Sequence, residues 1–166
     1  MACWEIVQAI TAHEKFRSSL TPDASALKIF QHVNLGVAVA LPGDEMVTAV
    51  VHNADTLSQA EFFQQYQMQI AEARTGNDQA DEATTLTVSN IGKANMRCGI
   101  PAIVAPAVAT LAIGEVFQQA IPDGNSFQFQ PTVLATLSFD HRIVNGMGAA
   151  NFLNSIKAGV ESFSLD

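Results

Sequence analysis

The sequence predicts an α/β fold, because stretches with helical periodicity alternate with runs of β-forming residues. Apolar residues recur at helical spacing from Trp4 to Leu20, again after Ser58, and from Ala149 to Phe163. Between these stretches lie β-rich runs separated by turn signals such as Pro42-Gly43-Asp44. A chain of 166 residues is long enough to bury a core. We therefore expect one domain that spans residues 1–166 and contains no linker-like segment.

The first half of the chain begins with one predicted helix and one predicted hairpin. The helix runs from Trp4 to Leu20, and the turn-forming residues Thr21-Pro22-Asp23 end it. Two β-rich runs follow, Val33–Leu41 and Met46–Val51, and the short turn between them predicts an antiparallel pair.

A second helix is predicted after Ser58. The spacing of Ser58 and Glu61 is that of a capping box, in which each residue satisfies a backbone N–H near the other. The helix ends near Gly76. Its apolar face, which we expect to be core, carries Phe62, Tyr66, Ile70 and Ala73.

The second half of the chain is richer in strands. The polar, acidic stretch Asn77–Ala83 predicts an exposed loop, and Thr84–Ser89 predicts a short strand. Lys93–Pro106 has few regular signals and predicts an irregular crossing segment. Two long β-rich runs, Ala107–Ile121 and Ser126–Phe139, flank an Asp-Gly turn signal and predict a hairpin.

Composition limits the classes of function. Apolar residues make up 48% of the chain and charged residues only 14%, so we expect part of the apolar surface to meet another subunit. The net charge of −8 makes nucleic acid an unsuitable partner. No stretch has the ~18 consecutive apolar residues of a spanning helix, and nothing resembles a signal peptide. The expectation is a soluble protein of the cytoplasm, or of the mitochondrial matrix in a eukaryote.

The cysteines and most histidines carry no recognisable chemistry. Cys3 and Cys98 are far apart and lack the spacing of a zinc site or a disulfide framework. Cys98 could be a nucleophile, but no reactive-cysteine motif surrounds it, so we expect a small buried apolar residue there. His13, His32 and His52 share no metal-ligand spacing, and no metal site is expected.

One stretch, Leu137 to Gly146, carries the strongest signal of chemistry. A strand-like run that ends at Phe139 is followed by His141, and Gly146 begins a predicted helix. A histidine at a strand end can act as a general base near neutral pH. From spacing alone, a histidine that is simply hydrogen-bonded within a turn is the more common alternative.

The residues from Ser138 to Gly146 resemble the signature of the dihydrolipoamide acyltransferases, the core subunits of 2-oxoacid dehydrogenase complexes. That signature reads Asp-His-Arg-x-x-(Asp or Asn)-Gly. Further stretches resemble the family in the same order, so that the resemblance runs from about Asn34 to Leu153. They are Asn34–Val39, Asn53–Asp55, Thr87–Gly92, Pro101–Val104 and Ala109–Gly114.

The resemblance implies a fold and a set of site residues. The fold is that of chloramphenicol acetyltransferase, a mixed sheet with helices packed on one face, assembled as a homotrimer or a multiple of three. In the family the motif histidine is the base, which corresponds to His141. The serine or threonine before Asn-x-Gly donates to the oxyanion, which corresponds to Ser89. Asn145 stands where most members have aspartate, and we include it among the candidate catalytic residues.

The implied activity is acyl transfer between dihydrolipoamide and coenzyme A, with the lipoyl group supplied by another domain or protein and no metal. The family places the base and the oxyanion donor on different subunits, so His141 should act with Ser89 of a neighbour. Possible partners are the other subunits of a 2-oxoacid dehydrogenase complex. A serine hydrolase is disfavoured, because Ser89 lacks the G-x-S-x-G context.

Two alternatives stay open. The family domain is longer at its N-terminal end, and neither that segment nor a lipoyl domain is recognisable here. The chain could therefore be a non-catalytic relative that builds or decorates a dehydrogenase-complex core. It could also transfer acyl groups to a free small acceptor, as the antibiotic acetyltransferases do. The acidic composition requires a local group of Lys or Arg residues to hold the anionic coenzyme A.

Overall fold

The computed structural model describes residues 2–162. In this part of the chain there are three α-helices, α1 (Ala2–Ala12), α2 (Gln59–Ala73) and α3 (Gly146–Ser162). The strands are β1 (Ser18–Leu20), β2 (Leu27–Ile29), β3 (Asn34–Ala40), β4 (Met46–Val51), β5 (Thr84–Asn90), β6 (Ala109–Ile113), β7 (Phe117–Asp123), β8 (Ser126–Thr132) and β9 (Ala135–Phe139).

The central sheet has five strands in the order β4-β3-β5-β6-β9. β3, β5 and β6 run parallel, and β4 and β9 run antiparallel to their neighbours at the two edges. All three helices pack on one face of the sheet, where alternate apolar residues such as Leu35, Leu86 and Leu111 belong to the larger of two hydrophobic clusters. The predicted mixed sheet with helices on one face is confirmed.

The predicted hairpin of β3 and β4 and the predicted capping box of α2 are both confirmed. Leu35 pairs with Val51, and the pairing continues to Ala40 and Met46. Ser58 accepts a hydrogen bond from the Glu61 backbone, and the Glu61 carboxylate accepts from the Ser58 backbone. These two bonds satisfy backbone donors that the first turn of a helix cannot pair by itself.

The loop after α2 covers the outer edge of β4. Asp78 accepts from the backbone N–H of Thr48 at 2.9 Å, and Gln79 accepts from that of Val50 at 2.8 Å. These side-chain oxygens thus accept from backbone N–H groups of β4 that could otherwise pair with another strand. The predicted loop is present, and its polar residues have this structural role.

The first predicted helix is too long, because α1 ends at Ala12 and not at Leu20. The chain continues as a 3-10 helical turn, Glu14–Arg17, and then as β1. The apolar periodicity persists because Phe16 turns into the core and stacks on Phe152 with ring centroids 3.9 Å apart. Burial therefore follows the helical spacing after the backbone has left the helix.

The two long β-rich runs form one hairpin that bends in the middle. The pairing of β6 with β9 ends at Ile113 and Ala135, and the pairing of β7 with β8 begins at Phe117 and Thr132. Three residues on one side therefore face two on the other, which is the arrangement of a β-bulge. The predicted hairpin turn is confirmed, with Gly124 at φ +58°, but each run is two strands and not one.

The bulge depends on Gly114, and this dependence gives a stability prediction. A Cβ atom at this position would overlap the backbone carbonyl oxygen of Arg97. Gly114→Ala should therefore destabilise the fold by roughly 3–4 kcal/mol or more, measured by thermal or urea unfolding. Gly146→Ala is the control, since a Cβ atom there meets nothing within 4 Å. Equal stability of the two variants would contradict the packing described for Gly114.

The predicted crossing segment is irregular, apart from a 3-10 turn at Ile91–Ala94 that overlaps its start. Several large apolar side chains in the second half of the chain are exposed, the most exposed being Ile100 at 87%. Others are Val116, Phe127, Phe129 and Met147. No helix within the described residues is both long enough and apolar enough to span a bilayer.

Candidate active site

His141 lies in the turn between the end of β9 and the start of α3, as the sequence predicts. Its side chain is exposed, and its ring centroid lies 5.6 Å from that of Phe139. The imidazole is therefore presented at the surface of the chain, next to an aromatic ring. Exposure leaves its ring nitrogens accessible to a substrate or to a neighbouring subunit.

Asp140 and Arg142 hold this turn together. The backbone N–H of Asp140 donates to the carbonyl of Val108 at 2.8 Å, which fixes the turn to the start of β6. The Asp140 carboxylate accepts from Nε and Nη2 of Arg142 at 3.0 and 2.6 Å, a bidentate pair. The guanidinium of Arg142 holds the pKa of the Asp140 carboxyl below its usual value. Both residues position the turn, and the Asp140 carboxylate is occupied by Arg142.

Asn145 caps α3. Its side-chain oxygen accepts from the backbone N–H of Gly148 at 2.8 Å, and its backbone carbonyl accepts from that of Ala149 at 3.0 Å. An amide oxygen serves as a cap as well as a carboxylate does. Asparagine therefore keeps the position of the helix relative to His141 without adding a negative charge beside the imidazole.

Ser89 lies near the C-terminal end of β5, on the sheet face opposite the helices. It pairs with Ala112 on β6, which in turn pairs with Thr136 on β9. The Ser89 side chain is half-buried, and its hydroxyl forms no hydrogen bond with another described residue. A small neighbour on β6 and an uncommitted O–H make this hydroxyl available as a donor.

The structure does not bring Ser89 and His141 of one chain together. The residue of β9 at the level of Ser89 is Thr136, and His141 lies five residues beyond it, two strands away from β5. With ~3.3 Å per residue along a strand and ~4.8 Å between strands, the two side chains are on the order of 15–20 Å apart. A single carbonyl group cannot contact both.

Cys98 is exposed, so the expectation of a buried residue is wrong. The crossing segment carries it over the same sheet face as Ser89, where its Sγ lies 3.6 Å from Oγ1 of Thr136. The expectation rested on the absence of a reactive-cysteine motif, which does not report whether the side chain is buried. The segment contains no regular backbone pairing, however, and most of it lies at the surface of the chain.

One pair of titratable residues was not predicted, since His32 and Asp55 are 23 positions apart. Nδ1 of His32 lies 3.2 Å from the Asp55 carboxylate, which also accepts from the backbone N–H of Val33 at 2.8 Å. Partial burial raises the pKa of Asp55, but these hydrogen bonds outweigh it and the pKa is lowered. The pair fixes the start of β3. Within residues 2–162, no three His, Cys, Asp or Glu side chains are placed to hold a metal ion.

A family model described as the catalytic domain of the 2-oxoacid dehydrogenases acyltransferase matches residues 1–165. The chain is 30% identical over 154 residues to the dihydrolipoyllysine-residue acetyltransferase component of the pyruvate dehydrogenase complex of Acholeplasma laidlawii, covering 92% of this chain and 28% of that protein. It is 32% identical over 139 residues to the corresponding component of Azotobacter vinelandii, covering 82% of this chain and 22% of that protein. The chain thus spans about a quarter of the length of these relatives.

Solved structures of the same class of enzyme also resemble this chain. The dihydrolipoamide acetyltransferase of Azotobacter vinelandii matches with a TM-score of 0.83 and 26% identity, over 97% of this chain and 68% of that one. A probable dihydrolipoamide acetyltransferase of Listeria monocytogenes matches with a TM-score of 0.87 and 28% identity, over 99% of this chain and 70% of that one. Chloramphenicol acetyltransferase, at 12% identity over 95% of this chain and 74% of that one, shares the fold with a TM-score of 0.55.

The Azotobacter vinelandii structure was used to study the role of a serine, a histidine and an asparagine in that enzyme's catalytic mechanism. There the serine precedes the histidine by 52 positions and the asparagine follows it by four. Ser89, His141 and Asn145 have the same spacing in this chain. The family match covers nearly the whole chain, and the chain belongs to the acyltransferase catalytic domains of the 2-oxoacid dehydrogenase complexes.

Proposed function

We propose that the protein transfers an acyl group between a dihydrolipoyl thiol and coenzyme A, with His141 as general base and Ser89 as oxyanion donor. The observation that carries the proposal is the retention of both residues in their motifs, at the spacing found in a catalytically studied relative. The exposed imidazole and the uncommitted hydroxyl support it. Asn145 contributes as the cap that positions the turn of His141.

The reaction requires one proton transfer in each direction. The neutral imidazole of His141 takes the proton of the incoming thiol, whose ordinary pKa near 8.5 is close enough for an efficient transfer. The sulfur attacks the thioester carbonyl, and the Ser89 hydroxyl donates to the oxygen that becomes negative. When the tetrahedral intermediate collapses, the first carbon–sulfur bond breaks and the imidazolium returns its proton to the departing thiolate.

The two residues must come from different copies of the chain, because they are on the order of 15–20 Å apart within one copy. A closed ring of identical copies repeats one interface, and each interface then joins His141 of one copy to Ser89 of the next. A trimer is the assembly that fits the family. The crossing segment carries exposed apolar side chains, of which Ile100 is the most exposed. A neighbouring copy of the chain can bury them.

The crossing segment gives a test of this assembly. Residues 98–107 carry no charge, and Ile100 is 87% exposed. Ile100→Asp places a carboxylate in the proposed contact and should weaken the assembly. As the protein is diluted, light scattering should show that the variant dissociates at a concentration about tenfold or more higher than the parent protein does. Met68→Asp is the control, because Met68 is a 56% exposed residue on α2. An unchanged assembly in the Ile100 variant would remove this segment from the interface.

The activity itself is tested by thioester exchange. Acetyl-CoA or succinyl-CoA is mixed with dihydrolipoamide, and release of the coenzyme A thiol is followed. Turnover supports the proposal. No turnover with either acyl donor, by protein that is folded and assembled, contradicts it.

A second candidate is a non-catalytic subunit that builds the core of a dehydrogenase complex. Solved relatives of this chain include subunits that build such cores, which favours this candidate. One such relative forms the cubic core of a pyruvate dehydrogenase complex. Co-purification with a dehydrogenase or a longer acyltransferase, without thioester exchange, would support it. In the catalytic proposal the lipoyl group is delivered by another domain or protein.

A further inference from the structure

The β7–β8 hairpin has an apolar face that touches no core of its own chain. Because side chains alternate along a strand, cross-strand partners share a face. Ala120 pairs with Phe129, and Pro122 pairs with Phe127, so that these four residues form one face. Phe127 is 67% exposed and Phe129 is 70% exposed. We call Ala120, Pro122, Phe127 and Phe129 the outer face of the hairpin.

The opposite face of the hairpin is turned toward the rest of its own chain. The cross-strand partners Gln119 and Gln130, with Ile121 beside them, line a cleft of about 710 Å³ whose other walls include Leu153 and Lys157 of α3. A β-ribbon beside its own core ordinarily turns its apolar face inward and its polar face to solvent. This hairpin turns two glutamines inward and two phenylalanines outward, so the outer face is suited to a partner outside the chain.

The turn makes this orientation a property of the sequence. A two-residue Gly-Asn loop joins Asp123 to Ser126, and such a loop fixes the register of the two strands. A shift of the register by one residue would exchange the two faces of a strand. The phenylalanines therefore point outward because the turn and the strand pairing require it.

The outer face belongs to a larger apolar surface. Fourteen large apolar residues are exposed within residues 2–162, and ten of them lie between Met96 and Met147. The crossing segment lies over the sheet face that carries Ser89, as the contact of Cys98 with Thr136 shows. The outer face of the hairpin continues that sheet face, because α3 and the cleft are on the other side.

Charge favours a second copy of the chain as the occupant of this surface. Each copy has a net charge of −8, so two copies repel each other wherever their acidic surfaces meet. Residues 98–139 carry only two charges, Glu115 and Asp123. Two copies can meet there with little opposition from like charges. An apolar contact depleted of charge is also typical of interfaces between identical subunits.

The hairpin leaves the sheet at the end where Ser89 lies. Ser89 pairs with Ala112, and β7 begins five residues further along the chain, at Phe117. His141 follows the opposite end of β9. A neighbour whose His141 reaches this Ser89 must approach the end of the sheet from which the hairpin extends. That neighbour therefore meets the hairpin.

We propose that the outer face of the hairpin is buried by a second copy of the chain, and that this is the copy whose His141 acts with the Ser89 of the first. The second part of the proposal rests on the function given above. Phe127 and Phe129 act as positioning residues. At ~3.3 Å per residue, the eight residues from Ala112 to Ala120 carry Phe129 up to roughly 26 Å beyond the level of Ser89.

The double variant Phe127→Ser/Phe129→Ser tests the proposal, with Gln119→Ser/Gln130→Ser on the inner face of the same hairpin as the matched control. The purified chain is diluted, and its assembly by light scattering and its thioester exchange are measured over the same concentrations. The phenylalanine variant should dissociate at a concentration about 100-fold higher than the parent protein does, because two aromatic side chains lose their burial. The glutamine variant should behave as the parent protein does.

Activity provides a second readout that a merely local effect would not change. In the phenylalanine variant, exchange activity per chain should fall as the protein dissociates and return to within a few-fold of the parent value when it is concentrated enough to assemble. Both phenylalanines are largely exposed, so the variant chain should stay folded, which circular dichroism checks.

Photo-cross-linking identifies the occupant without relying on a weakened assembly. Phe129 is replaced by p-benzoylphenylalanine, and chains with and without an isotope label are unfolded together, refolded and irradiated. Mass spectrometry should find cross-linked peptides that join a labelled chain to an unlabelled one. Cross-links that stay within one chain would overturn the proposal.

Unchanged assembly of the phenylalanine variant, or equal weakening of the glutamine variant, would also overturn it. Failure of the parent function is a separate outcome. If cross-links join two copies and the phenylalanine variant dissociates, but the parent protein transfers no acyl group, the interface stands and the catalytic proposal falls. If the parent protein is active and the dissociated phenylalanine variant keeps its full activity, this interface does not complete the site.

Discussion

Replacement of His141 by alanine should lower kcat for thioester exchange by about 10²- to 10⁴-fold, the contribution of a positioned general base. The physical reason is that no other described side chain in the turn can take the thiol proton near neutral pH. Asp140 is bound to Arg142, and Asn145 does not ionise. Steady-state kinetics with acetyl-CoA and dihydrolipoamide measure the effect.

His52→Ala is the control for this loss. His52 is exposed beyond β4, and it forms no hydrogen bond with a described side chain. Its removal should leave kcat unchanged. Turnover by His141→Ala within a few-fold of the parent protein, with the fold intact by circular dichroism, would show that His141 is not the base.

Replacement of Ser89 by alanine should lower kcat by about 10²- to 10³-fold with little change in KM, because the oxyanion exists only during the reaction. The alanine fits the same space beside Ala112, so the β5–β6 pairing should be preserved. The loss is therefore a loss of hydrogen bonding and not of structure. Kinetics at saturating concentrations of both substrates separate kcat from KM.

Ser138→Ala provides the matched control for Ser89. Ser138 is also half-buried and on the same sheet face, but it pairs with Thr110 and lies nearer the opposite end of the sheet. Its replacement should leave kcat within a few-fold of the parent value. A comparable loss in the two variants would mean that serine hydroxyls on this face support packing and do not stabilise the transition state.

Much of the fold could be predicted from local signals. The capping box of Ser58 and Glu61 fixes the start of α2 because both hydrogen bonds form within four residues. The Asp-Gly turn fixes the end of the long hairpin for the same reason. The sequence did not predict the order of strands in the sheet, because parallel neighbours such as β3 and β5 are distant in sequence and no local signal links them.

The errors arise where tertiary packing overrides periodicity. Phe16 keeps the apolar spacing of α1 although the backbone has left the helix, so the sequence pattern cannot locate the end at Ala12. The bulge at Gly114 is set by its close approach to the Arg97 backbone. The expectation for Cys98 is wrong because the lack of a reactive-cysteine motif does not show whether a side chain is buried, and the crossing segment lies at the surface of the chain.

In the candidate site, too, some features could be predicted from sequence motifs and others required the structure. The motifs identify Ser89, His141 and Asn145 one by one, and the structure explains Asn145 as a helix cap. The separation of Ser89 and His141 within one chain also depends on the parallel pairing of β5 with β6, which no local motif encodes.

Mixing two inactive variants tests most directly whether the site is shared between copies. His141→Ala and Ser89→Ala chains are unfolded together, refolded, and assayed for thioester exchange. If each site combines His141 of one copy with Ser89 of the next, random assembly should restore about a quarter of the parent activity, because one interface in four pairs two intact residues. If the mixture is no more active than either variant alone while mixed assemblies form, the site is not shared in this way.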